Sequence, residues 1–160
     1  MRLDGVSWRS LALGVAVVMV LLVPQSDDVA AQDEEKPYRI SEDGVVDWYT
    51  FSGFRRYHAD CHVCHGPDGL GSSFAPALAD SMKTMAYEDF VDVIVNGREV
   101  VGASEQSKMP SFGENPNVMC FIDDIYAYLK ARADGVLGRG RPKKEAKPPE
   151  AKERDDSCLG

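Results

Sequence analysis

The sequence predicts an all-α fold with crossed first and last helices, and three observations predict it. Cys61-His62-Val63-Cys64-His65 stands at the end of an amphipathic stretch in which Tyr49, Gly53 and Tyr57 are spaced by four, with Phe54 and Cys61 beside that stripe. A second amphipathic stretch, with Ile122, Ile125, Tyr126, Leu129 and Ala133 at helical spacing, closes the body of the chain. Between the two lie one short helical segment and loops dense in Gly and Pro.

The pentapeptide reads C-x-x-C-H, the attachment signature of a c-type haem. Residues three and four apart share a face of a helical turn. The Cys61 and Cys64 thiols can therefore both reach one porphyrin edge as thioethers, and His65 follows on the same side to bring an imidazole nitrogen to the iron. A zinc site would need a second ligand pair, and a thioredoxin-type dithiol would need a strand–helix context. The other cysteines, Cys120 and Cys158, each stand alone.

The 160 residues suffice for one domain. Residues 1–31 have a basic start at Arg2 and Arg9, an apolar run from Leu11 to Val23 and small residues at Val29-Ala30-Ala31. That run is too short to span a bilayer, and the order of features is that of a cleaved signal peptide. The expectation is a periplasmic, soluble chain with no membrane insertion after cleavage. Residues 32–138 carry 9 basic and 18 acidic residues, a balance of −9, whereas 139–156 carry 7 basic and 5 acidic, a balance of +2. An acidic body argues against nucleic acid and anionic membrane surfaces as partners.

In order along the chain, residues 32–44 read as a loose N-terminal arm, and the first helix is expected from about Val45 to the motif. Gly inside it costs about 1 kcal/mol relative to Ala and is best explained by a second helix crossing closely there. Tyr126 and Leu129 are the candidates to cover it. Residues 66–71 form a turn-rich loop, and Ala75-Pro76-Ala77-Leu78 continues it in extended form. The carbonyl before Pro76 is a candidate acceptor for the free ring nitrogen of His65. Tyr87 to Val95 reads as a short helix ended by Gly97. Val100 to Ser107 reads as loop, and the last helix begins after Asn115-Pro116 and ends near Ala133. Residues 139–160 are rich in Lys, Glu, Arg and Pro, with almost nothing apolar, and read as a charged, flexible tail.

The iron needs a second axial group, water or an open site. His58 and His62 belong to the motif's own helix. Of the methionines outside the signal peptide, Met109 lies in an irregular Met-Pro segment between helices, where a side chain can be aimed at a haem; Met82, Met85 and Met119 lie in or beside helices. Met109 is therefore the expected sixth ligand, and a His/Met pair describes an electron carrier with a raised potential. In an oxidising compartment, Cys120 and Cys158 are expected to bridge.

Cys61 to Gly66, Met109-Pro110 and Ala127-Tyr128-Leu129-Lys130 resemble class I cytochrome c over roughly Phe51 to Ala133. A narrower resemblance joins residues 58–69, Met109 to Gly113, Asn115 to Cys120 and Gly138 to Pro142 to the four-cysteine cytochromes of methanol metabolism. It implies a monohaem class I cytochrome c fold over 45–138, one covalent haem c on Cys61 and Cys64, and His65 and Met109 as ligands. It also implies a monomer that carries one electron at a time, with no catalytic residues of its own. The electron would come from a quinoprotein (PQQ-dependent) alcohol dehydrogenase and go to a downstream cytochrome or oxidase. The rival readings are an open-site haem enzyme and a haem subunit docked permanently in a larger complex. A loop patch at Gly69, Leu70, Gly71, Phe74, Ala75, Pro76, Pro110 and Phe112 is expected to meet the partner.

Overall fold

Asp47 fixes where the first helix begins. Its carboxylate accepts the backbone N–H groups of Tyr49 at 2.9 Å and Thr50 at 3.1 Å and the Thr50 hydroxyl at 2.6 Å, satisfying donors that a helix start leaves open. Helix α1 is thus Trp48–Arg56, and Val45–Val46 before it forms a short strand, β1. The computed structural model describes residues 35–101 and 106–160. The expected signal peptide, residues 1–31, lies outside them.

After α1 the helix widens into one π-helical turn, Tyr57–Cys61, in which the His62 N–H donates to the Tyr57 carbonyl. It then resumes as α2, His62–His65. A tight turn at Pro67–Gly69 leads to α3, Leu78–Ser81, and then to α4, Tyr87–Asn96. The segment expected to be loop after α4 contains an antiparallel ribbon. Strand β2, Arg98–Val101, pairs with β3, Gln106–Met109, in the register Arg98 to Met109 and Val101 to Gln106. The β-branched Val100-Val101 pair favours extended backbone, and the ribbon is too short for a period-two pattern to stand out. Helix α5, Pro116–Met119, is capped by Asn115, and α6 is Ile122–Ala133.

The crossing of α1 and α6 is the centre of the core. A Cβ on Gly53 would lie 1.8 Å from the Asp124 carbonyl oxygen and 2.9 Å from the Tyr128 Cβ, so the two backbones meet there. Glycine was expected at such a crossing, but its neighbours are Asp124 and Tyr128 and not Tyr126 and Leu129. Tyr126 instead meets Tyr87 edge-on at 5.0 Å and Phe90 at 5.3 Å, and Leu129 reaches towards Gly69. Around the crossing, Phe51, Tyr57, Phe121, Ile125, Tyr128 and Leu129 are buried, each such side chain contributing about 1.5–3 kcal/mol of burial.

Both ends differ from the flexible segments expected. In the arm, Tyr38 is buried and donates its hydroxyl to Asp134 at 2.6 Å, and the Arg39 N–H donates to Asp47 at 2.8 Å. Burial, followed by that contact with Asp134, pushes the Tyr38 hydroxyl up to about 12. The charged tail is folded. Lys143–Lys144 forms β4, parallel to β1, and Pro149–Leu159 forms α7. Its cations find aromatic faces and buried carboxylates. Arg141 lies 5.0 Å from the Phe51 ring centroid, Lys144 4.8 Å from that of Trp48, and Arg154 forks onto Asp124 at 2.8 and 2.7 Å. Cys158 of α7 is disulfide-bonded to Cys120, with Cα atoms 6.1 Å apart. A tail can order without an apolar face of its own when its charges and stems are buried against another element's aromatics.

Candidate haem-attachment site

The four cysteines fall into two chemically distinct pairs. Cys120 and Cys158 are bonded to each other, whereas Cys61 and Cys64 are free, the first buried and the second exposed. Cys61 ends the π-turn and Cys64 lies in α2 beside His65. Burial, with Asp60 and Cys64 adding to it, pushes the Cys61 thiol up to about 12.

His65 is 7 % exposed, and its Nδ1 lies 3.0 Å from the carbonyl oxygen of Pro76. Donation from Nδ1 to that carbonyl fixes the ring and leaves Nε2 as the nitrogen with a free lone pair. The expected acceptor was the carbonyl before Pro76; the observed one belongs to Pro76 itself. The loop between is drawn tight. The Gly71 N–H donates to the His65 carbonyl at 2.7 Å, the Tyr57 hydroxyl donates to the Gly66 carbonyl, and the Ser72 hydroxyl donates to the Cys64 carbonyl. Gly66 has a φ of +73°, and a Cβ on it would meet the Gly71 carbonyl at 2.2 Å.

The other two histidines stay with the motif's own helix. His58 holds the Phe54 carbonyl through Nδ1 at 2.8 Å and stacks on His62, with ring centroids 5.6 Å apart. Met109 comes from a separate element, the end of β3, and is half-buried against the hydrophobic core.

Asp68 has a structural part that the sequence reading missed. It is 5 % exposed and adopts a left-handed φ of +61°, a conformation that Asp tolerates better than most residues. Its carboxylate accepts the Gly140 N–H at 3.0 Å and Arg139 Nε at 3.3 Å, and Arg132 Nε donates to its carbonyl at 3.1 Å. Burial alone would raise this carboxyl. The Gly140 and Arg139 bonds, with Arg132 and His58 nearby, overcome burial and hold it below the usual carboxylate range. The run Pro67-Asp68-Gly69 was the available signal, since only Asp among the three can both accept the turn and bond onward.

These residues fit a covalently held haem. Two unpaired thiols three positions apart can form two thioethers, the anchored imidazole offers Nε2 to iron, and a thioether sulfur is available on Met109. When bound, haem supplies a one-electron iron couple; the chain's part is to hold the macrocycle and orient the ligands. One cleft of about 960 Å³ is lined by none of the four. Its walls include Asp47, Asp124, Asp134 and Arg154, which are paired within the protein. Of the apolar loop patch expected to meet a partner, Leu70 and Phe74 are exposed and Gly69 is buried. Val63, between the cysteines, is exposed as well.

Residues 51–129 match the family model described as cytochrome c oxidase, cbb3-type, subunit III. Cytochrome c-553I of Paracoccus denitrificans is 49 % identical over an alignment of 150 residues that covers 87 % of this chain and 66 % of that protein. Cytochrome c-555 of Methylococcus capsulatus is 37 % identical over 100 residues, 62 % of this chain and 75 % of that protein. The crystal structure of the c-type cytochrome XoxG from Methylobacterium extorquens AM1 superposes with a TM-score of 0.64 at 46 % identity, covering 79 % of this chain and 84 % of that one. The chain thus spans about two thirds of the first curated relative. Among the described residues no helix is long and apolar enough to cross a membrane.

Proposed function

Because the chain belongs to the c-type cytochromes, all-α electron carriers with covalently attached haem c and not enzymes, we propose that it is a periplasmic one-electron carrier for a PQQ-dependent methanol or alcohol dehydrogenase. It passes the electron on to a downstream cytochrome or terminal oxidase chain. In this reading residues 1–31 direct export, Cys61 and Cys64 hold the haem, and His65 and Met109 ligate its iron.

The observation that carries the reading is the division of the cysteines. Cys61 and Cys64 are free beside an imidazole whose other nitrogen is anchored on Pro76, while Cys120 and Cys158 are already bonded. A persistent disulfide suits an oxidising compartment, and a free pair held apart from it suits thioether attachment. The resemblance to the four-cysteine cytochromes supplies the choice of donor.

The test mixes the oxidised holoprotein with a purified quinoprotein alcohol dehydrogenase and its substrate in a stopped-flow instrument. Haem reduction at a rate that keeps pace with the dehydrogenase's turnover supports the assignment, and reduction no faster than that of an unrelated c-type cytochrome overturns it. In parallel, Met109→Ala is expected to remove the weak near-infrared Met–Fe band, to lower the potential and to let carbon monoxide bind the reduced protein. An unchanged band takes Met109 off the iron.

A further inference from the structure

We propose that the C-terminal end of α4 is the seat of the sixth ligand, with Gly97 and Ser111 as positioning residues that hold the backbone on both sides of Met109. The proposal rests on Met109 as an iron ligand and adds what keeps it there.

A helix ends with carbonyls that lack partners within the helix. In α4 the segment following Met109 supplies them. The Phe112 N–H donates to the Ile94 carbonyl at 2.8 Å, and the Gly113 N–H donates to the Val95 carbonyl at 3.3 Å. The Ser111 hydroxyl donates to that same Val95 carbonyl. On the other side of Met109, the ribbon pairs Met109 with Arg98, the second residue after the helix.

Gly97 stands between these two attachments. Its φ is +74°, and a Cβ there would come within 2.6 Å of the Met109 carbonyl oxygen, 2.9 Å of the Ser111 nitrogen and 3.0 Å of the Pro110 carbonyl carbon. All three are backbone atoms, so no side chain can swing aside to make room. The Met109-Pro110-Ser111 backbone therefore lies directly on Gly97. Pro110 has no N–H to donate and a fixed φ, so it transmits this placement stiffly. Met109 is thus set by a helix end on one side and a ribbon register on the other.

The consequence concerns ligand retention. A thioether is a weak, neutral ligand, and an exogenous base can take its place whenever the loop opens. The seat keeps the loop closed. Loosening it is expected to raise the population of the open form and with it the rate at which ferric protein takes up imidazole.

The experiment measures imidazole binding to the ferric holoprotein, the near-infrared Met–Fe band and the reduction potential for wild type, Gly97→Ala, Ser111→Ala, Ser111→Thr and Gly135→Ala. Gly135 shares the positive φ, at +74°, but a methyl added there would meet nothing within 4 Å, so Gly135→Ala reports backbone strain without the clash. Gly97→Ala is expected to speed imidazole uptake at least about tenfold, with a weakened band and a lower potential. Ser111→Ala is expected to speed it about three- to tenfold through the lost hydrogen bond, and Ser111→Thr, which keeps the hydroxyl, to stay near wild type. Uptake in Gly97→Ala and Ser111→Ala no faster than in Gly135→Ala overturns the seat, even where their melting temperatures fall. Should Gly97→Ala not fold, Ser111→Ala and Ser111→Thr decide alone. Met109→Ala separates the two levels. Its loss of the band with unchanged seat variants sinks only the seat, whereas its retention of the band sinks Met109 as ligand.

Discussion

Arg154 places two guanidinium nitrogens on the two carboxylate oxygens of Asp124, at 2.8 and 2.7 Å, and the backbone carbonyl of the same Asp124 is the atom that presses against Gly53. One residue of α6 thus receives α1 on its main chain and α7 on its side chain. Asp124 is 2 % exposed. Burial holds its carboxyl above the ordinary range, with Arg154 and Ser52 pulling the other way. The same contact holds the Arg154 guanidinium firmly charged.

Removing Arg154 leaves that carboxylate buried without its cation. Arg154→Ala is expected to cost about 3 kcal/mol, at the lower end for a broken buried pair because Arg154 itself is partly exposed. Adding Asp124→Asn should recover part of the loss. Urea denaturation of the two variants checks both statements; a single variant as stable as wild type would show that the pair contributes nothing.

Gly53→Ala is the sharper test of the crossing. The added methyl would overlap the Asp124 carbonyl, a backbone atom that moves only if the helices separate. The expected loss is about 3 kcal/mol or more, read as a lower urea midpoint. Gly44→Ala, at a φ of +77° with open space around it, should cost clearly less.

Thiol titration distinguishes the two cysteine pairs. Unfolded, unreduced holoprotein is expected to show no reactive thiol, two being thioethers and two a disulfide. Two reactive thiols after mild reduction, with a fall in stability of at most about 4 kcal/mol for a closed loop of this length, complete the picture. The bridge spans 38 residues of separation.

Asp68 makes an acid limb. Its folded pKa is depressed, so its contribution is present above the unfolded value of about 3.9 and is lost as pH falls through the folded one. Stability should therefore decline below about pH 4, and Asp68→Asn should be less stable at neutral pH with a flatter acid limb. Parallel limbs in the two proteins would remove Asp68 from the account.

Local chemistry was legible in the sequence and distant chemistry was not. Cys61, Cys64 and His65 are adjacent and carry their own geometry, and Gly53 announced a close crossing because a glycine in a helix has few other reasons to be there. Its partner was misjudged because α6 has two covered faces. Tyr126 turns to Tyr87 and Phe90, and Tyr128 turns to Phe54 and Tyr57, at centroid distances of 5.6 and 5.5 Å. The folded tail left no periodic signal. Its order comes from Lys144 on Trp48, Arg139 on Asp68 and Arg154 on Asp124, contacts of charge with rings and buried carboxylates about 30 to 100 residues away. The ribbon before Met109 escaped for a simpler reason, four-residue strands being too short to show alternation.

Seven basic residues lie between Arg139 and Arg154. In an unfolded segment that density would make it the first part of the molecule cut by a trypsin-like protease, which needs extended, accessible backbone to engage. Lys143 and Lys144 are paired to β1 and Lys152 and Arg154 are wound into α7, so four of those seven sites are kept from that shape, and Cys158 lies beyond the last of them. A single cut in the tail would still leave both fragments on one molecule, joined through Cys120. Survival of the C-terminal segment in a protease-rich surrounding is thereby tied to the oxidation state of one sulfur pair.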